Sequence, residues 1–387
     1  MTPGARIAAA IDILDRWLAG EAAEKALTRW GRANRYAGSK DRAAVRDHVY
    51  DAMRQRRSLA AWGGSETGRG LMLGAVRQAR DPTQVFNGAP YHPEALSEHE
   101  ANLPRPKNLP DPVRLDWPDW LWPQITARLG RDRDAVLEAM QQRAPVFLRV
   151  NLVKTTPKAA IQALADEDIE TQPHPLAATA LLVTRNARRV AGSNAYREGL
   201  VELQDAASQA VVGFCAPQKG ARVLDYCAGG GGKSLALAAL SRVPVVAHDA
   251  NPARMRDLPQ RARRAGVQVE ITQDPSADAG QFDLVLCDVP CSGSGSWRRD
   301  PQGKWRLTPE KLAALLHSQA QIITDASRLV RPGGCLAYVT CSMLPEENDD
   351  QIRDFLSAHP HWSRIAARQF TPLDGGDGFF VARLTKD

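Results

Sequence analysis

Two thiols and a carboxylate stand out as groups able to do chemistry together. The stretch Asp288-Val289-Pro290-Cys291-Ser292-Gly293-Ser294-Gly295 follows an apolar run, Phe282-Asp283-Leu284-Val285-Leu286-Cys287, that reads as a buried strand. A carboxylate, a proline and a thiol therefore sit where a strand runs out into a glycine-rich loop. In open parallel sheets, ligands bind at the carboxyl ends of strands. A second run, Cys335-Leu336-Ala337-Tyr338-Val339-Thr340, ends in Cys341-Ser342. If the two strands are neighbours, about 4.8 Å apart, Cys291, Cys341 and Asp288 meet at one spot.

A strand, a glycine-rich turn and a helix make a nucleotide or phosphate cradle. Arg222-Val223-Leu224-Asp225-Tyr226 runs into Cys227-Ala228-Gly229-Gly230-Gly231-Gly232-Lys233-Ser234 and then an Ala/Leu-rich helix. A P-loop would need glycine where Cys227 stands, so that reading fails. Asp249 ends the next strand (Val245–His248), and Asp274 lies beyond a third (Val267–Thr272). A carboxylate at a strand end suits a ribose diol, and Asp274 suits an adenine edge. Each alone would read as a turn or cap residue. Three acids at successive strand ends, with no call for a phosphate, favour S-adenosylmethionine over a dinucleotide. The candidate cofactor-binding set is Cys227, Ala228, Gly229, Gly230, Gly231, Gly232, Lys233, Asp249, Arg254, Asp274 and Asp288. Lys233 reads equally as a partner of Asp288 or the base and as an ordinary helix-start lysine.

The elements that must position these groups follow from periodicity. Residues 1–80 read as a small helical domain: Ile7, Ile11, Leu14 and Leu18 share one helical face, and Val45, Val49 and Met53 another. The latter helix also carries Arg42, Arg46, Arg54, Arg56 and Arg57, a solvated face or a phosphate-binding one. Prolines dominate 81–117, a linker, and Trp117, Trp120 and Trp122 are expected to pack it down. Residues 118–205 read as a small α+β piece, made basic by Arg143, Arg149, Lys154, Arg185, Arg188 and Arg189. From 206 to 387, strands alternate with helices as in a doubly wound α/β fold. Its long helix has Thr308 as N-cap and stops at Arg331-Pro332-Gly333-Gly334; another helix starts at Pro345 with Glu346 and Glu347 at its positive end.

The 387 residues allow two or three domains, and 50 basic against 44 acidic residues give a mild lean toward polyanions. The six cysteines form no Cys-x-x-Cys, so neither a disulfide scaffold nor a structural zinc is expected. No apolar run spans a membrane and no signal peptide is apparent, which points to a cytoplasmic protein, with monomer as the default.

The residues also resemble a known family. Asp225 to Ser234, Asp288 to Gly293 and Thr340-Cys341-Ser342 look like the motifs of RsmB/Sun-type RNA (cytosine-5) methyltransferases. So do Leu148-Arg149-Val150-Asn151, Gln204 to Ser208, Arg298-Arg299-Asp300-Pro301 and Asp377-Gly378-Phe379-Phe380. The resemblance runs from about residue 118 to the end. More weakly, the first 80 residues resemble the antitermination-factor-like helical domain of many members. It implies a Rossmann-like class I methyltransferase domain with a seven-stranded, mostly parallel sheet, preceded by an α+β RNA-binding domain and a helical domain. It also implies S-adenosylmethionine as cofactor and RNA, most simply ribosomal RNA, as partner. Cys341 would be the nucleophile, Cys291 would assist release, and Asp288 would hold the base. The family loop usually reads Cys-Ala-Ala-Pro-Gly-Gly-Lys; Gly229 and Gly230 replace Ala-Pro, which adds an entropic cost to ordering the loop. Trp297 and Trp305, interleaved with Arg298, Arg299, Lys304 and Arg306, suit single-stranded or flipped RNA. Two rival readings are a non-catalytic RNA-binding assembly factor that keeps the fold and a DNA cytosine methyltransferase, the latter opposed by the Thr-Cys motif.

Overall fold

A computed structural model describes residues 1–215 and 217–386, which form two compact units. The first unit comprises Met1–Arg143 and Trp297–Arg306. Its helices include Pro3–Leu18, Ala23–Ala33, Ser39–Arg54, Arg56–Gly63 and Gly68–Ala79. Thr2 caps the first by accepting from the Ala5 N–H. Ile7, Leu14, Val45, Val49 and Met53 are buried in one core, while Ile11 and Leu18 pack at its margin. Arg54 departs from the expected solvated face. It is buried, and its Nε donates to the Arg298 carbonyl (2.6 Å). The proline-rich stretch carries short helices at Glu98–Ala101 and Asp111–Arg114. Trp117 is buried against Trp297, with ring centroids 5.0 Å apart.

The second unit comprises Ala144–Ser296 and Leu307–Asp387. Its smaller sheet contains β1 (Phe147–Val150), β2 (Glu170–Pro173), β3 (Ala180–Arg185) and β4 (Val201–Leu203), in the order β2-β3-β1-β4 and antiparallel throughout. Thr156 caps the helix Pro157–Ala165 that packs on it.

The larger sheet contains β5 (Val223–Asp225), β6 (Val245–Ala247), β7 (Val269–Ile271), β8 (Phe282–Asp288), β9 (Val330–Thr340), β10 (Trp362–Phe370) and β11 (Phe379–Lys386). The order is β10-β11-β9-β8-β5-β6-β7, and only the pairings of β11 are antiparallel. β5, β6, β8 and β9 are apolar on both faces because helices cover both, as parallel sheets require. β8 and β9 pair in parallel with Asp288 opposite Val339, so both thiol loops leave the same sheet edge.

Several boundaries differ from expectation. The long helix Pro309–Ser327, capped by Thr308, ends before Arg331, and β9 already begins at Val330. β7 is shorter than Val267–Thr272 because the turn after the preceding helix takes Val267, whose N–H bonds the Ala262 carbonyl. β10 lies at the sheet edge, buried only at its ends, Trp362 and Phe370, where little apolar patterning is needed. Pro345–Glu347 is a 3₁₀ turn, and the α-helix starts only at Asp349.

Candidate active site

Cys291 and Cys341 lie with their sulfurs 3.4 Å apart. The arrangement follows from β8 and β9 being neighbours and from two backbone ties beyond their ends. The Gly295 N–H donates to the Cys341 carbonyl and the Gly378 N–H to the Gly295 carbonyl, both at 2.9 Å. A Cβ on Gly295 would stand 2.1 Å from the Gly378 carbonyl oxygen, so only glycine permits this approach.

The hydrogen bond with Cys291, strengthened by the Lys233 ammonium, holds the Cys341 thiol below its ordinary value against burial and Asp288. The same bond, with burial, pushes the Cys291 thiol well up. This asymmetry suits Cys341 to ionise with Cys291 as its S–H donor. A 3₁₀ turn at Pro345–Glu347 stands where a helix start was expected, and the groups that draw the Cys341 thiol down are Cys291 and Lys233. Lys233 Nζ donates to Asp288 Oδ2 (2.6 Å) and lies 5.1 Å from the centre of the Phe379 ring. Burial disfavours the ammonium, yet Asp288 keeps it charged and raises its pKa overall. The partner reading of Lys233 thus has a geometric basis.

The glycine loop joins β5 to the helix Gly232–Ser241. Gly229 and Gly231 have φ of +53° and +81°, the left-handed region that favours glycine. Ala228 is buried, and its N–H donates to the His248 carbonyl. The Gly230 carbonyl accepts from Arg261 and the Gly232 carbonyl from Arg149 Nη1 (2.7 Å). Burial raises the Cys227 thiol, which makes no nucleophile of it. Asp249 is buried, accepting from the Gly229 N–H (2.9 Å) and the Asn251 N–H (2.9 Å). Arg254, largely exposed, reaches the same carboxylate at 3.1 Å. Asp274 is exposed, and its carboxylate accepts from the Ser276 N–H (2.8 Å), a turn contact.

Residues 212–385 match the family described as 16S rRNA methyltransferase RsmB/F, and residues 117–190 match the ferredoxin-like domain of RsmF/B-like methyltransferases. Ribosomal RNA small subunit methyltransferase B of Salmonella arizonae is 34% identical over 289 residues, which is 71% of this chain and 67% of that protein. The chain belongs to the RsmB/F methyltransferase family. The crystal structure of PH0851 superposes with a TM-score of 0.81 over 100% of this chain and 99% of that one, at 24% identity. A methyltransferase homolog from Pyrococcus horikoshii gives 0.63 over 71% of this chain and 97% of its own, also at 24%. These likenesses show a shared Rossmann-like fold.

Within this RNA methyltransferase, some residues expected at the RNA surface are structural. Arg149 is buried, bonded to Gln204 Oε1 (2.5 Å) as well as to Gly232, and so links the small sheet to the glycine loop. Trp297, Arg298 and Lys304 are buried, and Trp305 donates its ring N–H to the Met53 carbonyl. They pack within the first unit and are not placed to stack on bases. Two acids were given no part in the site by sequence reasoning. Asp225 ends β5; burial raises its pKa to about 7, and its Oδ1 has no hydrogen-bond partner among the described residues. Glu347 is wholly buried and accepts from both thiol loops. A strand-end position marked the first; an acid after a proline gave no sign of burial.

Proposed function

We propose that the chain methylates carbon 5 of a cytosine in ribosomal RNA, using S-adenosylmethionine and a transient bond from Cys341 to carbon 6. The observation that carries this reading is the pair of thiols 3.4 Å apart beside the Lys233–Asp288 ion pair at the ends of adjacent parallel strands. The cofactor fits the residues present. Gly229 to Gly232 offer close backbone approach, and the Asp249 carboxylate has capacity for ribose hydroxyls once exposed Arg254 swings aside. The orphaned Asp225 Oδ1 would take a donor from the ligand. Asp274 would face the adenine edge. When bound, S-adenosylmethionine supplies an electrophilic methyl group on a sulfonium.

Carbon 5 of cytosine is a poor nucleophile until a thiolate adds at carbon 6. Cys341 makes that bond, turning the ring into an enamine whose carbon 5 takes the methyl. Asp288, oriented by Lys233, accepts from the amino group, and the Lys233 ammonium beside it stabilises the negative charge that shifts onto the ring. Cys291 gives up its S–H proton to solvent, the resulting thiolate takes the carbon 5 proton, the carbon 5–carbon 6 double bond re-forms, and Cys341 is expelled as a thiolate. The mild positive charge suits an RNA backbone, and exposed Arg185 on β3 and Arg189 just beyond it, which now share Asp168, could turn to phosphates. The reading makes the protein a cytoplasmic, monomeric enzyme.

Incubation with 16S rRNA and methyl-labelled S-adenosylmethionine, followed by nucleoside analysis, tests it. Label is expected in 5-methylcytidine; label in another nucleoside would reject the cytosine assignment. Calorimetric failure to bind S-adenosylmethionine would favour a non-catalytic assembly factor.

A further inference from the structure

Glu347 sits beneath both thiol loops and touches the residue that follows each thiol. Its Oε1 accepts from the Ser292 N–H (2.7 Å) and from Gln319 Nε2 (3.0 Å). Its Oε2 accepts from the Ser292 hydroxyl (2.5 Å) and from the Ser342 hydroxyl. Gln319, itself wholly buried on the long helix, also donates to the Pro290 carbonyl (3.0 Å), one residue before Cys291. Tyr338 on β9 donates to the Glu347 carbonyl (2.7 Å) and so fixes the backbone from which the carboxylate projects. A buried carboxylate is retained only when its lone pairs are filled, and here the donors come from the two catalytic loops and the helix behind them.

The two loops depend on this carboxylate unequally. Cys341 lies directly beyond a long strand. Around it the Asn348 amide donates to the Ser342 carbonyl (3.0 Å), Thr340 Oγ1 donates to Asn348 Oδ1 (2.6 Å), and the Ser294 and Ser342 hydroxyls share a hydrogen bond (2.9 Å). Cys291 lies in the loop after Pro290, where Glu347 takes both the N–H and the hydroxyl of the next residue. We propose that Glu347 is a positioning residue: it clamps Ser292 to Ser342 so that Cys291 stands over carbon 5 while Cys341 is still bonded to carbon 6. This rests on the thiol roles given above. Loss of the clamp leaves the nucleophile in place and misplaces the group that completes release.

The full-length protein with both cysteines intact is incubated with 16S rRNA and S-adenosylmethionine, and covalent RNA–protein complex is read on a denaturing gel beside the rate of 5-methylcytidine release. In Glu347→Ala, release is expected to fall about a hundredfold, the cost of roughly 1 Å of misplacement. Covalent complex should accumulate toward the level of Cys291→Ala. In Glu347→Gln, the amide oxygen still accepts the Ser292 N–H and the amide NH₂ donates to the two serine hydroxyls, so most of the release rate should return. A merely structural role would lower complex and product together. Should Glu347→Ala fail to fold, Ser292→Ala removes one arm of the clamp and is expected to accumulate complex to an intermediate level. No accumulation in whichever of these two variants folds, while Cys291→Ala accumulates complex, overturns the clamp and leaves the thiol roles standing. No accumulation in Cys291→Ala overturns both.

Discussion

Cys341 and Cys291 are chemically alike and are set apart by their surroundings. The contact with Cys291 and the charge of Lys233 both draw the Cys341 thiol below its ordinary value, which favours its thiolate. Cys341 should therefore react with iodoacetamide at lower pH than an ordinary thiol. Its folded pKa is depressed, so its reactivity should fall away only as pH drops below that lowered value. Cys291→Ala or Lys233→Met should move the midpoint of the Cys341 modification profile upward, as followed by peptide mass spectrometry; an unchanged midpoint would deny the pairing. Asp249→Ala should weaken S-adenosylmethionine binding by tenfold or more, on the order of 1.4 kcal/mol or greater, in calorimetry. At this scale, the sequence exposed Cys291, Cys341, Asp288 and Asp249 because each follows an apolar run that must be a strand. Glu347 was hidden, since nothing in Pro345-Glu346-Glu347 says that the second acid folds inward beneath two loops.

The elements act by bringing chain ends close. The approach of Gly295 to Gly378 joins the Pro-Cys loop to the start of β11, and Gly295→Ala would drive a methyl into a backbone carbonyl. It should cost about 2 kcal/mol, the scale of overpacking, and lower methylation more than it lowers the melting temperature of the bulk protein would suggest. In the helical unit, Arg69 pairs with Glu100 through two bonds (2.7 and 2.8 Å), and Ser97 completes a capping box. The Arg69 hydrogen bond brings the Glu100 carboxyl from 4.5 to about 2. Its folded pKa is depressed, so its contribution is complete above 4.5 and disappears as pH falls through about 2. Glu100→Gln should lower stability to urea at pH 7, and the difference from wild type should close between those two values. Most strands were legible because their apolar runs are buried on both faces. β10 was not, because this edge strand is mostly exposed between Trp362 and Phe370 and carries no continuous apolar run.

For the whole molecule, the informative segment is Trp297–Arg306, which leaves the loop after Cys291 and joins the helical unit. Lys304 is buried there, donating to the Arg54 carbonyl (3.0 Å) and the Asp116 carbonyl (2.8 Å), and burial lowers its pKa to about 8. Asp116, also buried, is surrounded by donors from Arg57, Ser58 and Gln141. Lys304→Ala removes two buried hydrogen bonds and a compensating charge, and should destabilise the helical unit by about 3 kcal/mol in urea. No change would mean that the segment is only draped on that unit. Sequence reading assigned these basic and aromatic residues to RNA because composition cannot tell a buried lysine from an exposed one. The most direct test of the account uses Cys291→Ala with ribosomal RNA and S-adenosylmethionine on a denaturing gel. The account predicts a stable protein–RNA complex that disappears when Cys341→Ala is added. No complex from a variant that binds S-adenosylmethionine normally, or a complex that survives loss of Cys341, would contradict it.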